Sequence, residues 1–482
     1  MRKIILLTLL TGCAVGPNYK QPENTISDTW ATEPLSNDIP LVEWWKVFND
    51  DSLNRYIAKA AAHNNDVLTA ESNILSARAL RQIAASSFFP HVGADVNATK
   101  THFSKNGPIF ASSASQGTLP GALSPATGLT LTPQVPQIQN LYNALFDVSW
   151  EIDLFGKTRR TVEAAEAVIG RTIEQRNSIL ISVMAEIARN YIELRSSQRR
   201  AALIQENIHL LEQKEHVVQK QLQAGYVSRL SYEYILAQLS TEKALLPDIQ
   251  AQIYRNMYAI STLTGELPET LTEELLRPQP LPHTPDIIAI GLRSDLLRRR
   301  PDIRRVEREL AAATASIGIA IASFFPTITL LGDGGWQSLM LKNLFSAGSK
   351  TWALGGDVLM PLFEGGRLMG NLKAKRAETA ATAHQYQQTV LAALEETESA
   401  LTTYTHDLKT VLERKDATEN YRHFTTLTHQ RYAGGLVAFL DYIDTERQLN
   451  TSEQLLLDSD TASLLDLITL YKALGGGWEL IP

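Results

Sequence analysis

The chain has 482 residues, a single cysteine and a formal net charge of −7 at pH 7. One cysteine excludes a disulfide within the chain and a cysteine-based metal cluster. The acidic balance gives no electrostatic reason for binding nucleic acid, so we expect no nucleic acid among the partners.

The chain begins with the organisation of a lipoprotein export signal. Basic and apolar residues at 2–10 precede Leu10-Thr11-Gly12-Cys13, a small-residue cleavage context that ends in a cysteine. We therefore predict a signal peptide and lipidation of Cys13, against the alternative of a buried cysteine in a cytosolic protein. No run of 18 apolar residues follows Cys13, so any membrane-spanning segment would have to be a strand.

The next elements are a helix and a strand pair. Helical spacing of apolar residues predicts a helix from Asp51 to Ser87, which Phe88-Phe89-Pro90 ends. Alternation of apolar and polar residues predicts strands at 92–98 and 142–154. The residues between them, 107–136, are rich in Gly, Pro, Ser and Thr and are predicted to form a long exposed loop.

A long helical hairpin is predicted next. Apolar residues recur at steps of three and four from Val162 to Leu222, and a helix of about 65 residues would reach about 100 Å. Gly225 is the predicted turn, and Ser228 to Thr262 is the predicted return helix. Pro247 lies inside this return helix, where it is expected to kink or break it.

The same pattern then occurs a second time. Asn65-Asp66-Val67 corresponds to Pro301-Asp302-Ile303 at an offset of 236, whereas Gly225 corresponds to Gly435 at an offset of 210. The fall from 236 to 210 locates 26 additional residues in the first copy. The repeat is far longer than the units of solenoids and propellers, so we predict two equivalent halves of one body.

The duplication gives a division of the chain. A signal peptide at 1–12 is followed by a lipidated periplasmic segment at 13–50. The first repeat, 51–265, contains a β-hairpin at about 89–155 and a helical hairpin at 156–265, and a linker at 266–300 follows it. The second repeat, 301–475, contains a β-hairpin at about 325–364 and a helical hairpin at 366–475 that turns at Gly434 and Gly435, and the chain ends in a tail at 476–482.

The four predicted strands cannot close a barrel. An open sheet edge in hydrocarbon leaves backbone groups unpaired at a cost of several kcal/mol each. The sheet therefore has to be completed by other chains.

Several motifs resemble the TolC-type outer membrane factor family, in the lipoprotein branch of OprM- and NodT-like proteins that serves resistance-nodulation-division (RND) multidrug efflux systems. The motifs are Cys13-Ala14-Val15-Gly16-Pro17-Asn18-Tyr19, Trp44-Trp45 with Phe48, Arg299-Arg300-Pro301-Asp302-Ile303, Ile317-Gly318 with Phe325-Pro326, and Pro361-Leu362-Phe363 with Gly365-Gly366-Arg367. The resemblance covers nearly the whole chain.

The resemblance implies a mixed α/β membrane protein. Its fold would be a homotrimeric, 12-stranded β-barrel with four strands per chain, continued by a long α-helical periplasmic barrel. The implied protein is a passive exit duct in the outer membrane, lipid-anchored and extending into the periplasm. Its implied partners are a periplasmic adaptor, an inner-membrane RND transporter and outer membrane lipid, and it needs no cofactor or metal.

The resemblance also implies a periplasmic gate at the tip of the second helical hairpin. The resemblance implies that Leu440 and Asp444 narrow the pore and that Arg447 takes part in the polar contacts that close it. Asp441 departs from the usual residue and adds a second acidic position, which a trimer turns into a ring. The alternative is that Asp444 and Arg447 form an ordinary surface pair worth a few tenths of a kcal/mol.

The sequence is less consistent with three other functions. A duct for one-step protein secretion shares the fold, but the lipoprotein start favours efflux. An enzyme is disfavoured because Phe155-Gly156-Lys157-Thr158 lacks the leading glycine of a phosphate loop, with Glu151 in its position. A lipid-anchored coiled-coil scaffold has no use for Trp150 and Trp352 on amphipathic strands, where aromatic residues suit a membrane interface.

Overall fold

A computed structural model describes residues 14–23, 27–31, 42–104, 136–282, 291 and 293–479. Cys13 and most of the predicted 107–136 loop lie outside the described residues. The helices and strands are α1 (Asp51–His63), α2 (Asn65–Ser86), β1 (His91–His102), β2 (Ile138–Ile152), α3 (Lys157–Gln223), α4 (Arg229–Leu263), α5 (Pro301–Ala322), β3 (Thr327–Ser338), β4 (Lys350–Leu359), α6 (Arg367–Ala433) and α7 (Phe439–Ala473), with short helical turns at Trp44–Phe48, Thr272–Leu275, Arg293–Asp295, Leu296–Arg299, Leu341–Asn343 and Ala347–Ser349.

The chain divides into two compact units. A strand unit contains Leu80–Ala165, Ala313–Ala377 and the described residues up to Tyr19, and a helical unit contains the rest. Among the described residues, no helix has both the length and the apolar character to cross a membrane.

The strand unit is built on one antiparallel sheet in the order β1-β2-β3-β4. Its register places even-numbered residues opposite even-numbered residues on every strand, as in Ala144 opposite both Val96 and Trp336. One face is therefore mainly apolar and the other mainly polar. The apolar face carries Val92, Val96, Tyr142, Phe146, Val148, Trp150, Leu330, Trp336, Trp352, Leu354 and Val358, and the polar face carries Asp95, Asn97, Asn143, Asp147, Glu151, Asp333 and Asp357. This is the amphipathic sheet that the sequence predicted, although β2 begins four residues before the predicted start at Tyr142.

The two copies of the repeat have helices of equal length. Helices α3 and α6 each contain 67 residues, and the return helices α4 and α7 each contain 35. The length predicted for α3 was about 65 residues. Equal lengths in both copies keep the two hairpin tips in equivalent positions within the duplicated pattern.

The single helix predicted from Asp51 to Ser87 is wrong, because it is two helices separated at Asn64. The Asn64 side chain accepts hydrogen bonds from the Asp66 and Val67 amides at 2.9 and 3.3 Å, which caps α2. Its Nδ2 donates to the Leu263 carbonyl at 2.9 Å, at the end of α4. A buried asparagine that serves two elements at once therefore ends one helix and starts the next.

The break that we considered at Pro247 does not occur, since α4 continues through this residue. Proline removes one backbone hydrogen bond, here the one that the Lys243 carbonyl would accept. Pro247 is exposed. Water can therefore satisfy the freed carbonyl, and the cost is small enough for the helix to persist.

The helical unit has a core that includes segments outside the long helices. Trp44, Phe48 and Leu275 are almost completely buried in it, together with residues of α1, α3 and α7. Trp44 stacks on Tyr471 with ring centroids 5.5 Å apart. Parts of the predicted N-terminal segment and of the predicted linker thus pack into the core of this unit.

Candidate functional site

Both helical hairpins turn at a glycine in the left-handed region. Gly225 has φ +77° and Gly435 has φ +73°. At each tip the residue after the glycine donates its amide to a carbonyl five residues earlier, Tyr226 to Gln221 at 2.8 Å and Leu436 to Arg431 at 2.9 Å. This is a Schellman ending, in which glycine avoids the steric penalty of a Cβ. Gly434, which we predicted as a tip residue, precedes Gly435 and has an ordinary φ.

The residues predicted to form a gate lie in the first turns of α7. Asp444 accepts hydrogen bonds from Arg447 Nη2 at 2.8 Å and from Gln448 Nε2 at 2.7 Å. These donors hold the pKa of Asp444 below its usual value. Leu440 and Asp441 are exposed on the same helix. The structure brings Asp444 and Arg447 together as an ion pair within one helix.

A partly buried ion pair that the sequence did not indicate joins the two hairpins. Lys214 near the end of α3 pairs with Glu446 in α7, and both side chains are only about one-fifth exposed, at 19% and 20%. Glu446 also accepts a hydrogen bond from the Tyr442 hydroxyl, and Lys214 Nζ lies 5.5 Å from the centre of the Tyr442 ring. Burial lowers the pKa of Lys214 to about 8. We call Lys214, Glu446 and Tyr442 the tip lock.

The tip lock lies beside a small apolar cluster and a cavity. Val218 of α3 and Ile235 of α4 are fully buried against Tyr442 and Ile443 of α7. Lys214, Glu446 and Arg447 also line a cavity of about 360 Å³ between the hairpins. Packing and charge pairing therefore both hold the end of α7 against the first hairpin.

A pair of carboxyl groups, Asp407 of α6 and Asp466 of α7, lies farther from the tip. Burial, and then the hydrogen bond and charge of Asp407, raise the pKa of Asp466 to about 7. The folded state therefore holds the proton of Asp466 more tightly than the unfolded state does. The stabilisation from this protonated carboxyl group is complete below the ordinary aspartate pKa and is lost as the pH rises through about 7.

We expect this pair to make the protein less stable at mildly basic pH. Between about pH 5 and pH 8 the free energy of unfolding should fall by about 2 kcal/mol more in the native protein than in Asp466→Asn, after allowance for partial exposure. Thermal unfolding of both proteins across this range measures the difference. Asp248→Asn, at an exposed position on α4, is the control, and parallel curves for the native protein and Asp466→Asn would contradict the prediction.

In the strand unit, the first described residues occupy a fixed seat. Arg160 is buried and donates to the carbonyls of Val15 at 3.1 Å and Gly16 at 3.2 Å, and to Asn18 Oδ1 at 2.8 Å. The Val15 amide donates to the Phe155 carbonyl at 3.1 Å. We call residues 14–18 and their contacts with Arg160 the N-terminal seat.

Two glycines allow the backbone of residues 14–16 to lie against Gly318 and Gly156. A Cβ on Gly16 would lie 2.6 Å from the Gly318 Cα, and a Cβ on Gly156 would lie 2.6 Å from the Ala14 Cα. Any larger residue would force the backbones apart. The residue after Cys13 is thus fixed at the junction where β2 ends and α3 begins.

The described residues contain no cluster of three or more His, Cys, Asp or Glu side chains that could hold a metal ion.

Comparison with known proteins identifies the family. The sequence model of the outer membrane efflux protein family matches residues 56–266 and 292–476. The toluene efflux pump outer membrane protein TtgF of Pseudomonas putida is 29% identical, over 99% of this chain and 97% of its own.

Solved structures agree with this match. The outer-membrane channel OprN is 29% identical with a TM-score of 0.85, over 97% of this chain and 100% of its own. The open state of the Neisseria gonorrhoeae outer membrane channel MtrE is 25% identical with a TM-score of 0.81, over 97% of this chain and 99% of its own. These matches confirm the predicted fold, a trimeric β-barrel with four strands from each chain and a helical periplasmic part. The chain therefore belongs to the outer membrane efflux protein family and is an outer membrane channel component of an efflux pump.

Proposed function

We propose that the protein is the passive exit duct of a tripartite RND-type pump, in which a periplasmic adaptor and an inner-membrane transporter deliver drugs and other small molecules to its periplasmic tip. The observation that carries this proposal is the sheet. It is apolar on one face and polar on the other, and in the described sheet β1 and β4 have open edges. Twelve strands from three chains enclose a lumen, whereas eight would be filled by side chains.

Recording from the purified protein in a planar bilayer tests the exit duct. We expect discrete conductance steps of a trimer that is mostly closed at rest and that prefers cations, because the tip carries acidic residues at the pore axis. A stable trimer that never conducts, even when the tip lock is broken, would contradict the proposal.

We further propose that the tip of α7 is the gate and that the tip lock holds it closed. Leu440, Asp441 and Asp444 would narrow the pore, with Arg447 in the polar contacts. The cavity between the hairpins supports this proposal, because opening requires α7 to move relative to α3 and space beside the lock permits such movement. In the closed channel the lock resists this movement, and an adaptor that binds the hairpins would favour the open arrangement.

We propose that Cys13 carries a lipid anchor and that the N-terminal seat positions it. The seat fixes Ala14 at the start of α3, so the acyl chains would enter the membrane beside the barrel of the same chain.

We also propose that the chain is divided into two repeats, 51–265 and 301–475, which are joined by the linker 266–300.

Replacing Arg160 tests the seat. In Arg160→Ala three hydrogen bonds to residues 15–18 are lost, and we expect limited proteolysis to cut this segment at least severalfold faster while the trimer persists. Arg189→Ala is the matched control, because Arg189 is an exposed residue of the same helix that bonds Glu193 at 3.0 Å. Equal protease resistance in the native protein and Arg160→Ala would contradict the assignment.

A further inference from the structure

The connection between β3 and β4 is short, ordered and apolar on its outside. Leu339, Met340, Leu341 and Phe345 are each more than half exposed. The loop is held by its own hydrogen bonds, including Asn343 N to the Met340 carbonyl at 3.0 Å and Ser349 Oγ to the Asn343 carbonyl at 2.7 Å. A soluble loop rarely exposes so many large apolar side chains in one place.

The loop continues the lipid-facing side of the sheet. Phe345 packs edge-on against Trp336, with ring centroids 5.6 Å apart, and Trp336 lies on the apolar face. This end of the sheet is opposite to the end at which the strands join the helices. Because the helices extend into the periplasm, the loop lies at the outer surface of the membrane.

Three lysines accompany this apolar surface at the same end. Lys350 is the first residue of β4 and pairs with Trp336 on the apolar face, and Lys100 lies on that face two residues before β1 ends. Lys342 is in the loop. All three are exposed, and within the described part of the chain none forms a salt bridge.

Trimer closure brings two of these lysines to each boundary between chains. β1 and β4 are the edge strands of the described sheet, so β4 of one chain lies beside β1 of the next. Lys350 and Lys100 therefore approach each boundary from opposite sides. Like charges on both sides repel each other, so an anion between them is favoured.

We propose that Lys100, Lys342 and Lys350 form a binding surface for the phosphates of outer-leaflet lipid, with the β3–β4 loop inserted among the acyl chains. A phosphate-bearing lipid satisfies both observations, since apolar side chains contact its acyl chains while lysines reach its headgroup. Another copy of the chain that covered this surface with the same residues would bring more lysines and no carboxylates to neutralise them, so we do not assign it as the occupant. This proposal deepens the proposed function, because it rests on the trimeric barrel in the outer membrane.

Competition between two lipids tests the surface. The detergent-solubilised trimer is mixed with bisphosphorylated lipid A and its dephosphorylated form, and native mass spectrometry measures which lipid stays bound. Each lysine near an anionic lipid surface contributes about fivefold in binding, so we expect at least about tenfold preference for the phosphorylated form. The triple variant Lys100→Gln, Lys342→Gln, Lys350→Gln should bind both forms equally, and Lys342→Gln alone should lose part of the preference.

A matched triple variant removes the same charge elsewhere. Lys373→Gln, Lys409→Gln, Lys415→Gln changes exposed lysines on α6 and should keep the full preference. Excess inorganic phosphate should not displace the lipid, because it has no acyl chains to contact the loop. Displacement by phosphate alone, or an equal loss of preference in the control variant, would overturn the proposal.

The same preparations separate this proposal from the proposed function. A native trimer that conducts in planar bilayers but binds both lipids equally overturns the lipid surface and leaves the exit duct intact. A native protein that forms no trimer overturns both.

Discussion

Removing Lys214 is expected to destabilise the protein by about 3 kcal/mol and to open the closed channel. The reason is that Lys214→Ala leaves the Glu446 carboxylate in a largely buried position without its counterion, and a buried charge that loses its partner is costly. Thermal unfolding of the trimer measures the loss of stability. Conductance at rest in a planar bilayer measures the release of α7 from the first hairpin.

An exposed ion pair between a lysine and a glutamate in the same region provides the matched control. Lys243 of α4 bonds Glu212 of α3 at 2.7 Å, and both side chains are about half exposed. Lys243→Ala should change stability by less than about 1 kcal/mol, because exposed pairs contribute little. In the double variant Lys214→Met, Glu446→Gln neither residue is charged, and it should recover much of the stability that Lys214→Ala loses. Equal changes in stability and resting conductance in Lys214→Ala and Lys243→Ala would show that the tip lock does not hold the channel closed.

Replacing Asp441 and Asp444 together is expected to make the resting channel leak severalfold. Asp444 fixes Arg447 through two hydrogen bonds, at 3.2 and 2.8 Å, so its loss frees the arginine from the closed arrangement. If the tip of α7 is the gate that we propose, the double variant also removes six negative charges near the pore axis of the trimer, so cation preference should fall. Single-channel recording measures both effects, and antibiotic entry into cells that carry Asp441→Ala, Asp444→Ala measures the leak.

Its control removes the same charge farther along the hairpins. Glu419 and Glu453 both bond Arg422, Glu419 from α6 and Glu453 from α7. Glu419→Ala, Glu453→Ala should leave resting conductance and cation preference unchanged, because these residues are distant in sequence from the tip. If the aspartate variant also had unchanged conductance and unchanged antibiotic entry, the gate assignment would be refuted.

Local features of the sequence determined most of the architecture. Strand alternation and helical spacing reflect side-chain directions that repeat every two or 3.6 residues, so they can be detected without knowing the fold. The end of α5 before Phe325-Pro326 and the turns at Gly225 and Gly435 follow from steric limits on single residues. The internal duplication and the open edges of a four-stranded sheet then led to the requirement for identical neighbours.

The tertiary structure decided which distant residues meet. Asn64 interrupts a sequence that reads as one helix, because its second partner is the carbonyl of Leu263, 199 residues away. Arg160 resembles a surface residue of a helix until residues 15–18 cover it, 142 to 145 positions earlier in the chain.

Lys214 and Glu446 likewise have the charge pattern of solvated helix faces, and only the packing of the two hairpins brings them together and removes most of their surface from water. Periodicity reports which face of an element is apolar, but it does not report which element covers a polar residue on the other face. Contacts between remote segments depend on how the backbone brings these segments together. Residues that act through such contacts therefore had no signal in the sequence alone.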